Sequence, residues 1–307
     1  MTPGRVLVTG GSGRLGRFVV NEIQRHAEVT VLDRVPPPAD LPYVIVDVRD
    51  LKALSSAAAG HDAVVHLAGL DSGVHASEHD YFHVNVQGTW NVLAAAEEAG
   101  IDRVAVCGSI AAYGMEAVPP RLVPDCLPFD EEHRLRPDVA YDLSKQVVEQ
   151  VAAAFARRGM TIPCLRPAWV VFPETIADFA RRSDEADGGG PVPPGHRPLP
   201  AHRAYVRPDD VASAFWLALT ADLEPFEVLN IGASDTMSPA PTLDVIKRTF
   251  AADIPITDPA LFEHFPRAAV FSSSRAQHRL GWQPSGDWSG FVADPPPSPF
   301  AAKETDT

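Results

Sequence analysis

Short apolar runs alternate with segments in which apolar residues recur every three or four positions, and this pattern fills the first half of the chain. Aliphatic and β-branched runs predict strands over 5–9, 29–32, 44–46, 63–67, 103–107 and 161–165. Between them, Leu15, Val19, Val20 and Ile23 share one helical face. A short helix is predicted over 53–58, a long one over much of 79–99, and another over 141–158. Parallel strands need connections long enough to hold a helix, so this order predicts an α/β doubly wound parallel sheet, Rossmann-like, over 1–165.

After Arg166 the regularity fades. Residues 183–200 are rich in Gly and Pro and predict a loop over or beside a cleft, while 208–219 and 243–250 read as helices and 226–231 as a strand. The expected organisation is a smaller lobe over 166–292, with 204–224 returning to the sheet domain, and a mobile tail over 293–307.

Composition narrows the class of partner. With 26 Lys plus Arg against 40 Asp plus Glu the net charge is −14, which offers no general attraction to nucleic acid or an anionic membrane. Cys107, Cys126 and Cys164 lie far apart, form no metal-ligand spacing and suit a reducing compartment. The first predicted strand begins too early to leave room for a signal peptide, and no apolar run is long enough to span a membrane. The expectation is a cytoplasmic protein with no metal, no membrane and no nucleic-acid partner.

The chemistry starts where the first strand runs into Thr9-Gly10-Gly11-Ser12-Gly13-Arg14-Leu15-Gly16. Gly10, Gly13 and Gly16 allow a tight turn, close approach of backbone to a pyrophosphate and close packing of the following helix, whose N-terminal amides favour phosphate. Asp33 ends the second strand, where a carboxylate accepts both adenosine ribose hydroxyls and repels a 2′-phosphate. That favours NAD, with NADP as the alternative through Arg34 or Arg14. Asp47 ends the third strand and is read as meeting the adenine edge or capping a turn.

Tyr141 and Lys145 stand four apart on a predicted helix and so share a face. An ammonium there is expected to hydrogen-bond the nicotinamide ribose and to lower the phenol from its ordinary value of ~10. Tyr141 then exchanges a proton with a hydroxyl as hydride leaves or joins the same carbon. Ser109, just past the fifth strand, supplies the polar donor to the reacting oxygen.

With these residues, the chain resembles the extended short-chain dehydrogenase/reductase family, which includes NAD-dependent sugar epimerases and dehydratases. The likeness spans about 5–285 and includes Asp47-Val48, His66-Leu67-Ala68, Asn85-Val86, Gly88-Thr89, Tyr113-Gly114, Arg166-Pro167, Arg203, Asp209-Asp210 and Asn230-Ile231-Gly232. It implies a seven-stranded sheet domain, a discontinuous C-terminal substrate lobe, Ser109, Tyr141 and Lys145 as the catalytic set, and Val48, Leu67, Ala68, Asn85 and Pro167 near the cofactor. It also implies a homodimer built on the two helices after the fourth and fifth strands, where Leu93, Ala94, Val148 and Ala152 face either the partner or the sheet.

Dehydratases of the family carry Thr-Asp-Glu from the position of Ser109, whereas this chain has Ile110 and Ala111, which move no proton. Two reactions stay open: net oxidation of a secondary alcohol in a sugar or sugar-acid-like substrate, and epimerisation of a nucleotide sugar. A non-catalytic NAD(P)-binding scaffold or sensor is a third reading, although it has no need to keep Ser109, Tyr141 and Lys145 together. In the substrate lobe, Trp169 and Phe172 replace the asparagine and glycine common in nucleotide-sugar enzymes. Ser109, Ala111, Trp169 and Arg203 are the expected substrate contacts, Arg203 through an anionic group, with Arg207 as a second anion contact.

Overall fold

The computed structural model describes residues 2–72, 74, 76–115, 122–187, 202–297 and 299. Its main sheet has seven strands in the order β3-β2-β1-β4-β5-β6-β9, every neighbouring pair parallel. The strands are β1 (Arg5–Thr9), β2 (Glu28–Asp33), β3 (Tyr43–Ile45), β4 (Ala63–His66), β5 (Arg103–Cys107), β6 (Ile162–Pro167) and β9 (Phe226–Ile231). The register sets Thr9 beside both Leu32 and His66, so the chain leaves β1, β2 and β4 along one edge. That shared edge is where an open parallel sheet gathers ligand-binding loops.

Both faces of the sheet are covered. Val6 and Val8 of β1 join the buried cluster on one side, with α1 (Arg14–Ile23) and α7 (Pro208–Thr220). Leu7 joins the other, with α2 (Leu51–Ala58), α4 (Gly88–Glu98) and α5 (Ala140–Ala156). Side chains alternate across a strand, so burial on both faces demands the continuous apolar runs seen in the sequence. Leu93, Val148 and Ala152 are at most 2 % exposed in this second cluster, and Ala94 packs partly buried against it. The first three therefore face the sheet, not a partner.

The long helix predicted over 79–99 is not continuous. It comprises α3 (Glu78–Tyr81), a π-helical stretch (Phe82–Gln87) and α4. A hydrophobic period of 3.6 does not reveal the extra residue per turn of a π segment.

The smaller lobe holds a two-stranded parallel sheet, β7 (Trp169–Val170) with β8 (Tyr205–Val206), plus α6 (Ile176–Asp187), α8 (Thr242–Phe250), α9 (Pro259–His264), α10 (Ser274–Leu280) and α11 (Trp288–Ala293). Val171, Ile176, Phe179, Tyr205, Trp288 and Phe291 form a buried cluster within it. Residues 183–187 close α6 instead of starting the predicted loop, whose remainder over 188–200 lies outside the described residues. Of the predicted tail, Ala293 ends α11, while 298 and 300–307 also lie outside them.

Candidate active site

A cavity of about 610 Å³ opens along the carboxyl edge of the sheet. Gly10, Gly13, Arg14, Leu15 and Gly16 form one end of its lining. A Cβ on Gly16 would run into the Gly10 carbonyl, so α1 can begin this close to β1 only without a side chain there. Gly10 itself has φ +73°. Among the described residues no side chain caps the N-terminus of α1 at Gly13, and this fits a nucleotide pyrophosphate placed on its amides.

Asp33, Arg34, Asp47 and Val48 line the adenosine end expected from the sequence. The Asp33 carboxylate is fixed by two backbone amides, Ser12 N–H at 3.0 Å and Arg34 N–H at 2.7 Å. Asp47 is held bidentately by the Arg49 guanidinium at 2.9 and 2.6 Å, and this bonding takes its carboxyl down to about 2. Its charge is thus largely met by Arg49.

Leu67 and Ala68 follow β4 into the cavity wall. His66, just before them, is buried between Thr9 Oγ1 at 2.7 Å and Thr89 Oγ1 at 3.0 Å. Burial pushes its imidazole down to about 3, so it is a neutral strut between β1, β4 and α4.

Ser109, just past β5, and Tyr141 and Lys145, both on α5, line this same cavity. Ser109 Oγ accepts the Ala111 N–H at 3.1 Å, which caps a 3-10 turn (Ile110–Tyr113) and leaves the hydroxyl proton for another acceptor. Lys145 Nζ donates to the Cys107 carbonyl at 3.1 Å and stands 5.8 Å from the centre of the Tyr141 ring. The ammonium is buried and anchored beside the phenol. Tyr81 packs edge-on against Tyr141, ring centres 5.7 Å apart.

Asn85, Ala111 and Arg203 do not line the cavity. Asn85 lies one layer back on the π segment. Its Oδ1 accepts the Leu70 N–H at 2.7 Å, its Nδ2 donates to Ser144 Oγ at 3.0 Å, and Ser144 Oγ donates to the Tyr141 carbonyl at 2.6 Å. It therefore braces the cavity wall without forming it. Ala111 is fully buried in its 3-10 turn. Arg203 is also buried, on backbone with φ +53°, and Arg207 pairs with Asp209 at 2.9 Å. The substrate roles expected for Ala111 and Arg203 thus lack direct cavity contact, because a motif fixes sequence neighbours and leaves the direction of the wall to the lobe.

Pro167 and Trp169 do line the cavity, joined by Asp71, Ser72 and Phe172, which the sequence reading did not place there. Phe172 carries the Arg14 guanidinium 4.0 Å over its ring, and Arg14 also pairs with Glu174 at 3.0 Å. Asp71 and Ser72 follow the fourth strand on a loop with no motif of its own. Their only sequence signal was their position after Leu67-Ala68.

A parallel doubly wound sheet with a glycine-loop cavity and an adjoining Tyr–Lys pair defines a nucleotide-dependent redox enzyme. Residues 6–232 match the NAD dependent epimerase/dehydratase family, and the chain belongs to that family. It is an NAD-dependent enzyme of the oxidoreductase/epimerase type. An L-arabinose 1-dehydrogenase (NAD(P)(+)) of Haloferax volcanii is 33% identical over 189 residues, 60% of this chain and 72% of the relative. A UDP-glucose 4-epimerase of Corynebacterium glutamicum is 25% identical and covers 91% of each chain. Among solved structures, MoeE5 in complex with UDP-glucose and NAD is 25% identical with a TM-score of 0.69, covering 94% of this chain and 96% of its own.

Proposed function

We propose that the protein is an NAD-dependent dehydrogenase that oxidises a secondary alcohol of a sugar or sugar-acid-like substrate. The observation that carries this reading is that Ser109, Tyr141 and Lys145 share one cavity with the glycine loop and Asp33. Bound NAD would supply the hydride acceptor. The α1 amides and Asp33 would hold it by pyrophosphate and ribose, and the Asp33 carboxylate favours NAD over NADP. Ser109 donates its hydroxyl proton to the substrate oxygen. Tyr141 removes the proton of that alcohol as hydride leaves its carbon, and Lys145 presents a positive charge to the phenol ring. Ile110 and Ala111 add no acid or base that an elimination would need.

Tyr141→Phe is the direct test. We expect it to remove most of the sugar-dependent rise in reduced-nicotinamide absorbance while leaving NAD affinity within about twofold. Full activity in this variant would overturn the mechanism.

Epimerisation is the second reading, favoured by the likeness to UDP-glucose 4-epimerase along 91% of the chain. Tightly retained NAD and an epimer formed with no net absorbance change would select it.

A homodimer is proposed on the exposed sides of α4 and α5, where Trp90 and Leu143 are 43% and 37% exposed. Light scattering should give twice the chain mass, and Trp90→Glu with Leu143→Glu should give the monomer. All three cysteines are free, which supports a cytoplasmic setting.

A further inference from the structure

We propose that the site selects an uncharged sugar, with Trp169 as the platform for its C–H face and Asp71 as the carboxylate that takes a pair of its hydroxyls. This rests on reading the cavity as a sugar-binding redox site, and it narrows the substrate to neutral polyhydroxy compounds over sugar acids and sugar nucleotides.

Trp169 lies on β7, paired in register with Tyr205, and lines the cavity two residues after Pro167. Phe179 meets its ring edge-on at 5.5 Å and braces it. An aromatic face carries negative quadrupolar charge and suits the weakly positive C–H side of a pyranose or furanose.

Asp71 sits in the cavity lining on the loop after β4. Its Oδ1 accepts from Ser72 N–H at 2.7 Å and Ser72 Oγ at 3.2 Å, which sets the carboxylate plane. Oδ2 has no hydrogen-bond partner among the described residues. Tyr81, which packs against the Tyr141 ring, donates its hydroxyl to the Asp71 carbonyl at 3.3 Å, so loop and phenol share one wall. Burial pushes the Cys107 thiol up, the Lys145 ammonium opposes the rise and the Asp71 carboxylate adds to it, so the Asp71 field reaches the cavity floor. A carboxylate accepts charge-assisted hydrogen bonds from hydroxyls and repels a carboxylate or phosphate.

The cations point the same way. Among the described residues, those lining the cavity are Arg14, Arg34 and Lys145. Arg14 is paired with Glu174, Arg34 stands beside Asp33 at the adenosine end, and Lys145 is bound to the Cys107 carbonyl. Arg207 is held by Asp209 and lies 4.8 Å over the Phe291 ring. An anionic group at the sugar end would face Asp71 within a molecule whose net charge is −14.

The test measures binding apart from turnover, using the full chain. NAD-loaded Tyr141→Phe is titrated by calorimetry with aldohexoses and aldopentoses, with hexuronates of matching stereochemistry, and with UDP-hexoses. We expect an aldose to bind at least tenfold more tightly than its hexuronate or UDP-linked counterpart. Adding Asp71→Asn should weaken that aldose about tenfold and narrow its lead over the hexuronate, with NAD affinity and melting temperature unchanged. Trp169→Ala should weaken the aldose by a similar factor. The proposal is overturned if no aldose binds measurably, if a hexuronate or UDP-hexose binds as well or better, or if Asp71→Asn leaves the aldose unaffected. Wild-type protein that binds the aldose with this preference but never reduces NAD would sink the dehydrogenase reading alone.

Discussion

At Gly16 a single missing methyl decides whether the cofactor cleft exists, because a Cβ there would meet the Gly10 carbonyl. Gly16→Ala must push α1 away from β1, a strain of about 1–3 kcal/mol. We expect NAD affinity to fall at least tenfold, measurable by fluorescence titration. Residues of this kind were readable from the sequence because their partners are neighbours along it: the glycine loop, Asp33 and the Tyr141–Lys145 pair each depend on local spacing. Asp71 and Phe172 were not readable as site residues. They reach the cavity only after a loop and a lobe are folded back over the sheet. Arg203 stands outside the cavity lining for the complementary reason, since its neighbours match a family pattern while its left-handed backbone and burial are set by the lobe.

The elements around the site are braced from behind. The π stretch lets Asn85 reach Leu70 on one side and Ser144 on the other, tying the loop after β4 to the helix that carries Tyr141. Asn85→Ala leaves Leu70 N–H and Ser144 with lost partners and should cost about 2–3 kcal/mol in urea unfolding. It should also lower kcat more than NAD affinity. Further along α5, Glu149 meets Arg166 of β6 through two hydrogen bonds of 2.7 Å, with both side chains 3 % exposed. Glu149→Gln would leave a guanidinium poorly matched in the interior, a loss of about 3–5 kcal/mol. Long apolar strands and amphipathic helices were legible in the sequence because their periodicity is local. The lobe was less so: β7 and β8 are two residues each, and bridges such as Leu127 with Ile256 join segments far apart. No window of sequence contains both halves of such a pair.

The molecule as a whole carries a built-in acid sensitivity. His66 and His202 are both buried and held down to about 3, against 6.5 for an exposed imidazole. The unfolded chain takes up these protons first, so the stability they protect is complete above pH 6.5 and drains away as pH falls toward 3. By pH 4 each accounts for about 3 kcal/mol. Urea midpoints measured from pH 7 to pH 4 should fall steeply, and His66→Gln should flatten the slope.

Arg14 joins the glycine loop to the lobe, through Phe172 and Glu174, and so gives the two ligands a common mechanical joint. A nucleotide seated on the α1 amides settles the loop that this arginine leaves, and the turn it grips continues directly from the strand bearing Trp169. Linkage then requires that whatever the first ligand does for the second is returned in equal measure. The expected kinetics are ordered, nucleotide first and sugar second, with reduced nucleotide the last to depart. Product-inhibition patterns will read that order, and Glu174→Ala should drive it toward random addition.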